Sequence, residues 1–124
     1  MSVFRRFRLL THWVLLGCLW ISSVCAQPQT LTLLGRSSVD GYEVRLSDAD
    51  SRVLRQKGRL VLAVSAPDYP PFDITTTGTD YEGLTADYAG LLKQLLHVEI
   101  DVQRYASRGD AVRAIKDGKA DLLG

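Results

Sequence analysis

The chain has 124 residues, and its first 26 read as a removable leader that holds both cysteines, both tryptophans and three of the 15 basic residues. The remainder is free of cysteine and carries 12 basic against 14 acidic side chains, a formal charge of −2. A disulfide framework, a cysteine-ligated metal centre and a cysteine nucleophile are thereby excluded, nucleic acid is a poor partner, and the length suits one small domain. In the leader, Arg5, Arg6 and Arg8 precede an apolar stretch from Leu9 to Ile21, and small residues around Ala26 offer a cleavage site before Gln27. This is the layout of an export signal, with an apolar core short for a membrane span. An uncleaved anchor, or lipidation at Cys18 in Leu15-Leu16-Gly17-Cys18, are the alternatives; all three place the rest outside the inner membrane.

Residues 27–58 read as a lead segment. Leu31 to Leu34 and Tyr42 to Leu46 are expected as two strands, with Asp40-Gly41 as the turn of a hairpin between them. Ser47 suits a helix N-cap with Asp50 three residues on, and Gly58 suits the stop. Arg59 to Val64 is a nearly unbroken run of β-formers, the pattern of a strand covered on both faces. A long loop, Ser65 to Gly83, follows, with a small hairpin expected between Phe72 and Tyr81 around Thr77-Gly78. Thr85 is the expected cap of the next helix, with Tyr88, Leu91, Leu92 and Leu95 as its inner face. Val98 to Val102 alternates as a one-sided strand. Asp110 is the expected cap of a further helix with Ala111, Val112, Ala114 and Ile115 inward, Gly118 ends it, and Ala120 to Leu123 begins another strand. Strand and helix alternating at this spacing imply right-handed βαβ units in an open, mostly parallel sheet. The final strand is barely begun, so residues 59–124 are expected to form an incomplete lobe and the chain to be a fragment.

Open α/β sheets bind ligands outside the carboxyl ends of their strands, so the Ser65–Gly83 loop is the expected site if its strand is central. Ala66-Pro67-Asp68-Tyr69-Pro70-Pro71-Phe72 carries three prolines that stiffen it, so Asp68, Tyr69 and Phe72 can be held ready for a ligand. An aromatic face stacks on apolar or cationic groups and a carboxylate pairs with an amine. Phe72 can equally serve as core, and Asp87 is explained by the helix dipole as well as by a ligand. Arg104 and Arg108 flank Tyr105 and either can face the crevice. Asp48, Asp50 and Asp110 suit caps better than a metal, and His97 has no partner at ligand spacing. No cofactor motif, phosphate loop, G-x-S-x-G elbow or H-E-x-x-H is present, so no catalytic constellation is expected in this chain.

Three stretches carry a resemblance: Leu60 to Phe72, Tyr81 to Asp87, and Asp117 to Leu123. They resemble bacterial extracellular solute-binding proteins of family 3, the type II periplasmic-binding or Venus-flytrap domains, over Arg59 to Gly124. Ser65 to Asp73 and Tyr81 to Tyr88 are most similar to the periplasmic sensor modules of BvgS-type hybrid histidine kinases, and the helix ending at Leu54 to Gly58 fits such sensors. The resemblance implies ligand capture between two closing lobes, with the aromatic at Tyr69 packed on the ligand and the acidic residue at Asp87 starting the first helix. It departs from the amino-acid transporters at Thr85, where many carry an acidic residue. The implied function is the periplasmic small-solute sensing segment of a two-component sensor kinase, attached to the inner membrane through downstream segments, whose kinase domains are not in this chain. The alternatives are the receptor of an ABC importer for amino acids or similar polar solutes, working with an ABC permease, and a periplasmic lyase or transglycosylase carrying this domain.

Overall fold

In the computed structural model the described residues are 26–124; the expected leader up to residue 25, with Cys18, lies outside the described residues. Six strands form one sheet in the order β3-β4-β1-β5-β2-β6: β1 Gln29–Leu33, β2 Arg59–Ser65, β3 Ile74–Thr76, β4 Asp80–Glu82, β5 Glu99–Tyr105 and β6 Leu122–Leu123. Three helices accompany it, α1 Asp48–Lys57, α2 Leu84–Leu96 and α3 Arg108–Lys116. β2 pairs in parallel with β5 on one side and with β6 on the other: the chain passes from β2 through α2 to β5, then from β5 through α3 across β2 to β6. The strand order reverses at this crossing, which fixes the carboxyl end of β2 as the crevice. The sheet is open and mostly parallel, as expected: β1–β4, β2–β5 and β2–β6 run parallel, while β1 runs antiparallel to β5 and β3 antiparallel to β4.

The unbroken apolar run of β2 is covered on both faces, as its composition requires: Leu60, Leu62 and Val64 join one cluster with Ile100, Val102 and Ala86, while Ala63 packs with Ala111, Ala114 and Ala120 on the other face. In β5, Ile100 and Val102 are buried and their neighbours Glu99, Asp101 and Gln103 are not, which is the expected alternation.

Four expectations differ from the structure. Tyr42–Leu46 forms no strand. The chain leaving β1 runs instead along α2, where Asp87 accepts the Arg36 N–H at 2.6 Å and Gln94 bonds both the Val39 N–H and the Ser37 carbonyl. Gly35 crosses Gly90 so closely that a Cβ on Gly35 would lie 3.1 Å from the Gly90 Cα and 2.9 Å from the Ala86 carbonyl. Side chains of α2 thus take the backbone groups that a hairpin would have paired, and β1 pairs with β4 and β5. Second, α2 turns Ala86 and Ala89 inward and leaves Tyr88 and Leu92 exposed, because only small residues permit this close approach to the sheet and to the strap. Third, α2 begins at Gly83 with no side-chain cap; loop carbonyls replace Thr85 in that role. Fourth, the cap of α3 is Ser107, whose Oγ accepts the Asp110 N–H at 3.1 Å while Asp110 accepts the Ser107 hydroxyl at 2.6 Å. Ser47 and Asp50 make the same reciprocal pair at α1, as expected. Ser107→Ala should therefore lower stability by about 1 kcal/mol, read as a shift in the urea midpoint without a change in slope.

Candidate functional site

The loop leaving β2 extends the β2–β5 ladder by one bond, Ala66 N–H to the Tyr105 carbonyl at 3.0 Å, and then turns across the carboxyl rim of the sheet. The Ala66-Pro67 and Pro70-Pro71 peptides are both cis. Tyr69 and Asp73 pair across the second of them, with the Tyr69 N–H donating to the Asp73 carbonyl at 2.9 Å and the Asp73 N–H to the Tyr69 carbonyl at 3.0 Å. This small turn brings the Tyr69 and Phe72 rings into a stack, 5.9 Å between centroids and 17° between planes. The pair stands in solvent: Tyr69 is 69% exposed and Phe72 47%. Phe72 is therefore not core.

Three anchors hold the turn. Asp68 accepts the Thr75 N–H at 2.7 Å, the Thr75 hydroxyl at 3.0 Å and the Arg104 guanidinium at 2.8 Å. Partial burial works against ionisation of Asp68, but the bonds from Thr75 and the charge of Arg104 outweigh it and hold the carboxyl below the usual aspartate value. Second, the carbonyls of Pro71 and Phe72 accept the N–H groups of Leu84 and Thr85, both at 3.1 Å, which satisfies two of the orphan donors of α2. Gly83 makes this possible, since a Cβ there would stand 2.4 Å from the Phe72 carbonyl oxygen. Third, Tyr81, only 1% exposed, donates its hydroxyl to Asp73. Burial, and then the Asp73 carboxylate, push the Tyr81 phenol far above its usual range, so it stays protonated and serves as a donor.

Of the four residues singled out by sequence, Asp68, Tyr69 and Phe72 lie together on this rim. Asp68 is fully engaged as a brace, and Tyr69 and Phe72 present the open aromatic surface. Asp87 turns its carboxylate to the Arg36 N–H on the strap after β1. Of the two arginines, Arg104 is spent on Asp68, whereas Arg108 donates to an oxygen of Gly124, the last residue of the chain. Gly124 in turn lies at the end of β2, where a Cβ would sit 3.0 Å from both Val64 Cγ1 and Thr85 Cγ2 and 3.4 Å from the Tyr81 hydroxyl. The rim thus offers a stacked aromatic pair, the Thr85 side chain and the Arg108 guanidinium beside the Gly124 oxygen. Thr75, Asp73 and Tyr81 were not picked out by sequence. The seven-residue separation of Asp68 and Thr75 matches no motif, and only the register of the β3–β4 hairpin brings them together.

No protein-family model matches the chain. It is 46% identical over 96 residues to the virulence sensor protein BvgS of Bordetella pertussis, a match covering 77% of this chain and 8% of that protein. Similarity to BvgS of Bordetella parapertussis is 43% over 112 residues, covering 90% of this chain and 9% of the relative. The sensor protein EvgS of Escherichia coli O157:H7 is 30% identical over 120 residues, covering 94% of this chain and 10% of the relative. Among solved structures, the crystal structure of the B. pertussis BvgS periplasmic domain superposes with a TM-score of 0.72 at 46% identity, over 77% of this chain and 18% of that one. The chain thus spans about a tenth of the length of the curated relatives it matches, and the relationship supports a periplasmic location. No helix among the described residues is long and apolar enough to cross a membrane.

Proposed function

Because this chain belongs with the BvgS-type periplasmic sensor modules, we propose that the rim built on Tyr69 and Phe72 is one wall of a small-solute site through which such a module senses its ligand. The observation that carries this reading is an aromatic pair held out in solvent by a fully satisfied brace. Exposed aromatics cost hydration and gain nothing for the fold, and here three separate anchors keep them on the carboxyl rim beside β2. The solute is small and polar, in the class of an amino acid, with a flat or apolar part for the rings and an anionic group for Arg108. A second lobe closes on this wall, and occupancy shifts the population toward the closed form, which longer sensor proteins relay across the inner membrane to a kinase. Export through the leader ending at Ala26 delivers the module to its compartment.

Tyr69→Ala tests the reading, because the side chain is too exposed to matter much for folding. Its unfolding free energy should change by less than about 0.5 kcal/mol, while the affinity for solutes that saturate the chain falls about tenfold. Urea unfolding checks the first half, and saturation-transfer NMR with a panel of amino acids and short organic acids checks the second. Equal solute binding by the variant and the parent chain contradicts the reading.

A further inference from the structure

At the amino ends of β2 and β5, the opposite end of these strands from Tyr69, the segment before α1 and the last turns of α1 and α2 line a groove of about 750 Å3. Its floor is apolar, formed by Leu54, Leu95, Leu96 and Val98. Val98 is a core residue, and Leu54 and Leu96 pack against the same core, so the floor is continuous with the interior. The walls carry Arg45, Arg55 and His97, and no aspartate or glutamate lines the groove. The charges are distinctive for how they are partnered. Among the described residues Arg36, Arg59, Arg104 and Arg113 each pair with a carboxylate, and Arg52 and Arg108 each donate to a backbone oxygen. Arg45 and Arg55 take part in neither a salt bridge nor a hydrogen bond among the described residues, and both line this one groove.

We propose that this groove is a second binding site, for a small amphiphilic anion: a carboxylate carried on a short alkyl chain or ring. The volume falls in the range of small-ligand pockets, whose usual form is apolar walls with a few placed polar groups. The apolar body covers the leucine floor, and the carboxylate meets the two guanidinium forks, each able to bond it through paired N–H groups. Such a ligand bridges two helices. α1 buries none of its own residues, so an occupant touching Arg55, Leu54 and Leu96 at once fastens α1 to the end of α2.

The test titrates the full chain with octanoate, and separately with octanol, following backbone amide shifts. Octanoate should saturate with the largest shifts at Leu54, Arg55, Leu96 and His97, and bind at least tenfold more tightly than octanol. The double variant Arg45→Gln, Arg55→Gln should lose at least tenfold in octanoate affinity while keeping its circular dichroism spectrum, and the double lysine variant should recover part of that loss. Equal binding of octanol and octanoate, an unchanged affinity in the glutamine variant, or shifts confined to the Tyr69 rim overturn the proposal. Self-association of the parent chain that the glutamine variant abolishes also overturns it, assigning the groove to a second copy.

Discussion

Gly83→Val is expected to lower the unfolding free energy by about 3 kcal/mol or more, the largest effect of any single change outside the hydrophobic core. Gly83 has φ 105° and ψ −175°, a region reserved almost entirely to glycine, so any side chain carries a conformational cost of about 1–3 kcal/mol there. Contact adds to it, because a Cβ would lie 2.4 Å from the Phe72 carbonyl oxygen and 2.8 Å from that of Pro71. Those two oxygens are the acceptors for Leu84 and Thr85, so moving them away breaks the start of α2 and tilts the aromatic turn together. Gly118→Ala separates the two contributions. Gly118 has φ 68° and open space within 4 Å of where a Cβ would stand, so its substitution should cost only about 1 kcal/mol. Urea unfolding of both variants measures the difference, and near-equal losses would contradict the close approach of loop and helix.

Asp68→Ala is expected to cost about 2 kcal/mol and to release the aromatic pair. It strips the Thr75 N–H and hydroxyl of their acceptor and leaves Arg104 without its carboxylate. The pair is about a quarter exposed, Arg104 at 24% and Asp68 at 30%, so solvent softens the loss below that of a fully buried ion pair. The pH dependence follows from the lowered pKa of Asp68. Its stabilisation is fully present above the unfolded value of 3.8 and is lost as pH falls through the lower folded value. Asp121 behaves alike: burial opposes its charge, but the Lys57 ammonium and the Val61 N–H hold its carboxyl low. Asp68→Asn should therefore flatten the acid limb of the stability curve in part, and adding Asp121→Asn should flatten it further. An acid limb unchanged in the double variant would contradict the role given to both carboxylates.

Much of the fold was legible because it rests on local signals. The β2 run has a composition that only a doubly covered strand tolerates, the alternation of β5 is strict, and Ser47 with Asp50 caps α1 through neighbours three residues apart. The same local logic misplaced the cap of α3 by three residues, since Ser107 and Asp110 are reciprocal partners and either can be read as first. What failed was set by distant contacts. Tyr42–Leu46 alternates like a strand, yet α2 claims the backbone groups of the preceding segment through Asp87 and Gln94. The apolar stripe Tyr88-Leu91-Leu92-Leu95 has helical spacing, but alanine at Ala86 and Ala89 decides the packing because the sheet and Gly35 come too near for larger side chains. At the candidate site the prolines and aromatics marked the loop, while the division of labour between brace and exposed face depends on register. Val64 pairs with Arg104 across the β2–β5 ladder, and that pairing carries the guanidinium to Asp68.

The central claim is that the braced rim after β2 is a solute-binding wall. Its most direct test is an amide and side-chain shift map of the full chain titrated with a panel of amino acids and short organic acids at millimolar concentration. With both rings open to solvent, binding on the order of millimolar is expected, and the shifts should cluster on Tyr69, Phe72, Thr85 and Arg108. Shifts absent from that rim at tens of millimolar, or centred elsewhere on the sheet, would contradict it.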